Sequence, residues 1–419
     1  MKENKKKKVI QMAKQTKKGI KKPNIFAWIF YTFCSRVFLF FKHHIKYDRK
    51  AFKKRNKKEG CIVIYNHDSN FDHYITTASF KYTRTHYVIT KHFYFSKKLR
   101  KILDIVAAVP REQFKSDITS IKTIKKIIDS GGIITIAPAG QIAVHGEMPY
   151  IDKAIVKLLK FCKVDIYALQ MHGNYLAYPK WHKVKRSFPL HTNFVKVMSK
   201  EDLQTLSDDD IYGNVVKYLD FCDLDEQKVN PKVIKSKDLI KGLDNILYYC
   251  PKCKSKYTLT AENNRLVCCK CHNTVRMDEY GFLRPVGDDC IMFENEAEWY
   301  KYQKELLKKE IRENRLHIEG EFLLKRNIND EWTLEDVGTG KLVLTNNSFY
   351  YDGTILDKHV LKKFNLEQLI QIPFDVAVRL TVPDDEGTFQ FRPLNNPKQI
   401  MEYVQAIDAM RELRQEENK

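Results

Sequence analysis

Five of the ten cysteines fall between residues 250 and 271, and four of them form two pairs with the same inner spacing. Cys250-Pro-Lys-Cys253 is followed by 14 residues and then by Cys268-Cys-Lys-Cys271. Two residues between paired cysteines let one tight turn aim both thiolates at one point, so two such turns complete a tetrahedral shell. The chain between them must therefore return on itself. Residues 256–267 read as a short hairpin with Asn263-Asn264 at its tip. Four thiolates leave no open position, so the implied Zn2+ is structural, a staple for a segment too small to hold a core. Cys269 is the spare, or exchanges register with Cys268 or Cys271. Cysteines kept reduced indicate a cytoplasmic compartment.

This arrangement resembles a zinc ribbon, and it occupies only residues 245–285 of a 419-residue chain. That length exceeds one ordinary domain. An apolar content of 43% with 22 Tyr and 24 Phe excludes wholesale disorder, so each domain can bury a core.

The formal charge is +21, but residues 1–60 hold 20 Lys/Arg against three Asp/Glu, a net +17. Residues 1–22 carry ten lysines and one acid, Glu3, and read as a flexible polybasic tail. From residue 25 to 41 the composition inverts, with eight aromatic residues in 17. That run is shorter than the ~20 residues of a spanning helix and contains Arg36, so residues 23–60 read as a membrane-interfacial helical segment drawn to anionic lipid by its basic flanks. Lys42, His43 and His44 follow it where a cleaved signal would show small residues. The aromatic block also sets nucleic acid aside as the partner of the lysines.

Between residues 60 and 230, strand-like runs at 61–65, 85–90, 133–137, 164–171 and 192–198 alternate with helical stripes. One stripe is Ile118, Ile121, Ile124, Ile127 and Ile128; another is Ile151, Ile155, Leu158, Leu159 and Cys162. The alternation predicts an α/β domain over 61–230. The first strand leads into Asn66-His67-Asp68-Ser69-Asn70-Phe71-Asp72. A separation of five places His67 and Asp72 about 140° apart on a helix and on opposite faces of a strand, so they meet only if the chain turns between them. With His67 on the loop and Asp72 in a first helical turn, the carboxylate can take the Nδ1 proton and leave Nε2 as a general base. No Gly-x-Ser-x-Gly elbow stands in the chain to support a covalent serine mechanism.

The stretch resembles the glycerophospholipid acyltransferases, the PlsC-type lysophosphatidic acid acyltransferases, whose first block is Asn-His-x4-Asp. Val109-Pro110-Arg111, Ala137-Pro138-Ala139-Gly140-Gln141 and Ile166 to Gly173 follow as the second, third and fourth blocks in the family's order, over about half the chain. The resemblance implies transfer of an acyl chain from acyl-CoA or an acyl-carrier protein to a lysophospholipid hydroxyl. His67 and Asp72 would be catalytic, and Asn66, Arg111, Pro138, Gly140 and Gly173 would line the substrate site. Arg111 would take the acceptor's phosphate, for which a guanidinium fork is suited. The family's third block reads Pro-Glu-Gly, and Ala139 stands in place of the Glu, which opens the identity of the acceptor. Such an enzyme would act on the cytoplasmic face of the cell membrane.

Residues 290–316 read as a connecting helix carrying Trp299, Tyr302, Leu306 and Ile311. Residues 317–419 read as β, with strands at 321–325, 332–335, 341–345, 348–351, 377–382 and 388–392, turns at Asn346-Asn347 and Asp352-Gly353, and Lys362 and Lys363 on a solvated edge. A last helix carries Ile400, Tyr403, Ile407 and Met410. Antiparallel strands closed by one C-terminal helix resemble the pleckstrin-homology or GRAM class. A reading from another class is a non-catalytic adaptor that binds membrane or nucleic acid through the tail and the ribbon.

Overall fold

The computed structural model describes residues 20–113, 117–328 and 333–417. The polybasic tail therefore lies outside the described residues except for Ile20, Lys21 and Lys22.

The N-terminal half is built on a seven-stranded mixed sheet in the order β1-β7-β6-β2-β5-β3-β4. Its strands are β1 (Lys46–Asp48), β2 (Cys61–Tyr65), β3 (His86–Thr90), β4 (Val109–Arg111), β5 (Ile133–Ile136), β6 (Ile166–His172) and β7 (His191–Met198). Ile62, Val63 and Ile64 in β2 and Ile134 in β5 are fully buried, as continuous apolar strands covered on both faces must be. The covering helices are α1 (Ile25–His43), α2 (Lys50–Lys53), α3 (Asp72–Phe80), α4 (Lys97–Ile105), α5 (Ile118–Asp129), α6 (Ala154–Cys162), α7 (Asn174–Ala177), α8 (Asp202–Thr205), α9 (Asp208–Leu219) and α10 (Asp223–Val229). Strands β2 to β6 are mutually parallel, while β7 and the β1 strand parallel to it run the opposite way, so five strands end on one edge of the sheet.

Two local readings shift. Ile151 is buried but precedes α6, and the sheet reaches back to β1, which pairs with β7 from inside the segment read as purely interfacial.

Residues 245–285 form a four-stranded antiparallel sheet: β8 (Leu259–Glu262), β9 (Arg265–Cys268), β10 (Thr274–Met277) and β11 (Leu283–Val286). Asn263 and Asn264 both take positive φ between β8 and β9, the two-residue hairpin geometry that asparagine tolerates. Helix α11 (Glu296–Arg312) leads to a second seven-stranded sheet, ordered β15-β14-β13-β12-β18-β17-β16. Its members are β12 (His317–Arg326), β13 (Glu335–Thr345), β14 (Phe349–Ile355), β15 (Lys358–Phe364), β16 (Phe374–Asp375), β17 (Arg379–Asp384) and β18 (Gly387–Pro393). Helix α12 (Gln399–Glu417) buries Ile400, Tyr403, Ile407 and Met410 against it.

Three expectations about this sheet are corrected. Trp332 lies outside the described residues, Thr333 and Leu334 are irregular, and β13 starts only at Glu335. Asp352-Gly353 is no turn: Gly353 faces Gly340 across the ladder, where a Cβ would stand 2.6 Å from the Gly340 Cα. The reversal comes at Leu356-Asp357, both at positive φ, and leads into β15, a strand hidden by its Lys358, Lys362 and Lys363. Lys362 is no solvated lysine either, since it lies over the Phe389 ring and pairs with Asp384 at 3.2 Å and Glu386 at 2.7 Å.

Helix α1 is long and apolar enough to cross a membrane, but one of its faces is committed to the protein. Trp28 Nε1 and Thr32 Oγ1 donate to the Lys81 carbonyl at 3.1 and 3.0 Å, and Arg36 donates to the Ala78 carbonyl at 2.8 Å. At its end the buried His43 donates from Nδ1 to the Phe188 carbonyl at 3.0 Å and accepts from the Tyr178 hydroxyl at 2.8 Å. Burial pushes the His43 pKa down to about 4. The unfolded chain takes that proton near pH 6.5, so stability is full above that pH and falls as pH drops toward 4. Between about pH 7.5 and about pH 5, urea unfolding of His43→Gln should lose about 2 kcal/mol less stability than that of the wild type.

Candidate active site

The five parallel strands bring the four sequence blocks to their shared C-terminal edge, where open α/β sheets place ligand sites. Asn66 and His67 follow β2, Arg111 ends β4, Pro138 and Gly140 follow β5, and Gly173 follows β6. The edge is not one tight cluster. Between β2 and β4 stand β5 and β3, so Arg111 is about 14 Å across the sheet from the end of β2.

His67 and Asp72 meet as the spacing requires. The chain turns after β2 and enters α3 at Asp72, whose Oδ2 accepts from His67 Nδ1 at 2.7 Å. The same oxygen accepts the backbone N–H groups of Asp68 at 2.9 Å and Ser69 at 3.1 Å, and Oδ1 accepts from Asn174 Nδ2 at 2.9 Å. Four donors converge on a carboxylate that is 1% exposed, while the His67 side chain keeps 24% of its surface. A carboxylate so held accepts the Nδ1 proton, and Nε2 makes no hydrogen bond among the described residues. The pair can take a proton at Nε2 from a group docked in front of it.

Asn66 fixes the loop from below. Its Oδ1 accepts from the Met171 N–H and its Nδ2 donates to the Met171 carbonyl, each at 2.8 Å, tying the end of β2 to the end of β6. It also donates to Asp68, whose carboxyl is held well above the ordinary range by burial and then by Asp72. The third block reaches the same loop through Ala143, whose N–H donates to the His67 carbonyl at 2.8 Å.

Gly140 is exposed at positive φ and its carbonyl accepts from Gln113, which follows Arg111 by two residues, so the second and third blocks are joined. Pro138 opens that turn and is half-buried; Ala139 packs into the apolar layer under the sheet. Burial lowers the pKa of Arg111, and Asp117 and Asp152 oppose the shift. Gly173 sits at φ +82°, where a Cβ would stand 2.6 Å from the Pro189 carbonyl oxygen, and its N–H donates to Asp223 at 2.8 Å. Its role in the structure is a turn that no other residue makes easily. A cavity of about 350 Å³ opens beside it between His172, His191, Glu226 and Lys232, and His67 is not in its lining.

Asn174, Asp68, Asp223 and Gln113 escaped the sequence reading. Asn174 left a faint mark, as the one amide opening the apolar run Tyr175-Leu176-Ala177 directly after the fourth block.

The Sγ atoms of Cys250, Cys253, Cys268 and Cys271 all lie within 4.8 Å of one another, with Cys250 to Cys271 and Cys253 to Cys268 at 3.6 Å. Sulfurs bound at about 2.3 Å around a tetrahedral zinc stand about 3.8 Å apart, so the set fits such an ion. Cys269 is exposed and outside this group.

Residues 44–172 match the family model described as Acyltransferase. Among solved structures the chain is similar to the crystal structure of the 1-acyl-sn-glycerophosphate (LPA) acyltransferase PlsC from Thermotoga maritima, at 10% identity and a TM-score of 0.40, covering 50% of this chain and 80% of that one. No curated protein matches it.

If Asn174 holds the Asp72 carboxylate, Asn174→Ala leaves a buried charged oxygen short of one donor. Denaturant unfolding should show a loss of about 1–3 kcal/mol.

Proposed function

From an acyltransferase-family domain at residues 44–172 as premise, we propose that the protein moves a fatty acyl chain from acyl-CoA or an acyl-carrier protein to a hydroxyl of a lysophospholipid. The observation that carries this reading is the 2.7 Å contact between His67 Nδ1 and a buried Asp72, with Nε2 open at the C-terminal edge of the sheet. In the reaction the acceptor hydroxyl oxygen attacks the thioester carbonyl carbon while His67 Nε2 takes its proton. The carbon–sulfur bond then breaks, and the thiolate leaves with the proton returned from the imidazolium. Asp72 keeps the ring in the productive tautomer.

Arg111 is suited to the acceptor's phosphate and Gly140 to close backbone approach, with Asn66, Pro138 and Gly173 shaping the loops around them. Asp117 and Asp152 are the acids near Arg111, in place of a glutamate at position 139. The acceptor therefore belongs to the lysophospholipids, with 1-acyl-glycerol-3-phosphate the first to try. Helix α1 and the lysines before it would hold the enzyme on the cytoplasmic face of the cell membrane.

Cys250, Cys253, Cys268 and Cys271 would hold Zn2+, which with four thiolates supplies folding energy and no open coordination position. The β sheet of residues 317–393 with α12 supports the pleckstrin-homology or GRAM reading: two runs of consecutive strands meet at β12 and β18, and one C-terminal helix closes the domain.

Purified protein given an acyl thioester and 1-acyl-glycerol-3-phosphate should release free thiol. His67→Ala should lower the rate by about 10²-fold or more, and equal rates would refute the assignment. Metal analysis of freshly prepared protein should find about one zinc per chain, lost together with cooperative unfolding in Cys253→Ser.

A further inference from the structure

Helix α4 is a helix without a buried residue. Its sequence, Lys-Lys-Leu-Arg-Lys-Ile-Leu-Asp-Ile, places Leu99, Ile102 and Ile105 three residues apart on one arc, with Lys98 among them, and Lys97, Arg100, Lys101 and Asp104 on the other. An apolar stripe normally forms because it is covered, yet these three side chains are 42–56% exposed. The turn before it adds Phe93, also exposed.

The stripe adjoins a larger one. The N–H of Asn24, which caps α1, donates to the Ile105 carbonyl at 3.0 Å, so the end of α4 abuts the start of α1. Along α1, Phe26, Phe30, Phe33 and Phe41 recur at helical spacing and are 60–80% exposed, on the face opposite the buried Trp28, Thr32 and Leu39. Both helices are pinned at their other sides. Arg84 donates to the Pro23 carbonyl at 2.9 Å, and Arg100 Nε donates to the Tyr94 carbonyl at 2.9 Å.

We propose that α4 is a second membrane-docking helix, and that its Leu99, Ile102 and Ile105 enter the same anionic lipid surface as the exposed aromatic face of α1. Charge selects this occupant. Helix α4 carries four basic residues and one acid, and the chain running into α1 brings ten lysines within residues 1–22. A lipid surface rich in anionic headgroups complements that charge, whereas a second copy seated on the same face would bring two such sets together. Two helices meeting at a corner fix a plane, so the protein docks in one orientation. The inference deepens the proposed function and rests on that reading, since a lysophospholipid acceptor is held in such a surface.

Sedimentation with phosphatidylcholine vesicles containing about a third phosphatidylglycerol tests it. The full chain should bind, and Leu99→Asp/Ile102→Asp should weaken partitioning by about tenfold or more with Tm unchanged. Independently, Ile102→Trp should gain emission that brominated phosphatidylcholine in the same vesicles quenches. Undiminished binding of the double variant or an unquenched tryptophan overturns the role of α4. So does a concentration-dependent dimer that the aspartates dissociate, which makes a second copy the occupant. Thiol release with a water-soluble short-chain lysophosphatidic acid is measured on the same proteins. Its absence from wild type while vesicle binding stays sensitive to the aspartates refutes the acyltransferase reading and leaves the docking helix standing.

Discussion

A buried carboxylate is the constraint on which the N-terminal half turns. Asp72 is 1% exposed, and an ionised carboxylate so placed is costly unless every lone pair finds a donor. The donors come from four residues: His67, the N–H groups of Asp68 and Ser69, and Asn174. Three of them sit on the loop after β2, and the fourth opens α7 after β6. Satisfying one side chain therefore fixes the loop conformation, the His67 tautomer and the register between two strand ends. Asn66 repeats the link with two hydrogen bonds to Met171, so the strand ends are tied twice.

That architecture was legible in part because the two periods separate cleanly. Ile62 to Ile64 and, apart from Thr135, Ile133 to Ile136 are apolar, as parallel strands between helices are, while Ile124, Ile127 and Ile128 follow a helical stripe. The His67–Asp72 contact was legible because a spacing of five forces a turn. Asn174 was not, because its importance lies in a partner 102 residues away. The β sheet of the last third shows the converse error. Asp352-Gly353 reads locally as a turn, but the glycine is there because Gly340 approaches it across the ladder. Strand β15, with lysines at positions 358, 362 and 363, lacked the apolar run that announces a strand, and only its pairing with β14 defines it.

The ribbon and the β domain are built into the rest rather than strung behind it. Lys256 and Tyr257, which enter the ribbon hairpin, both bond the buried Glu402 of α12, with Lys256 at 2.6 Å. Burial raises the Glu402 pKa, and the Lys256 ammonium opposes that shift. On the other side, Tyr175 in α7 donates to the buried Glu296 of α11 at 2.8 Å and accepts from Trp181 at 3.1 Å. Arg411 of α12 lies 4.3 Å over the Tyr150 ring, and Gln415 donates to its hydroxyl at 3.1 Å. Tyr150 lies in the loop that begins with the third block and runs to α6. Helix α12 thus holds both the segment that a metal would staple and the N-terminal half, so loss of that segment's shape would be felt through it.

Helix α1 shows why composition alone misreads such a segment. Over 18 residues its mean hydropathy is 1.4, enough for a span, because a mean takes both faces together. The two faces have opposite fates. A helix crossing a bilayer alone would surrender the bonds from Trp28, Thr32 and Arg36 to the end of α3 and from His43 to Phe188, each worth about 1 kcal/mol net. It would also carry the Arg36 guanidinium, now paired with a carbonyl and lying 4.3 Å over the Tyr47 ring, into hydrocarbon at a cost of several kcal/mol. Lying flat on a surface, the same helix would keep every one of those bonds with its phenylalanines still exposed. The polar residues of α1 thus lock it to the sheet domain, and the orientation of that face holds the edge bearing His67 in a fixed relation to whatever surface the phenylalanines enter.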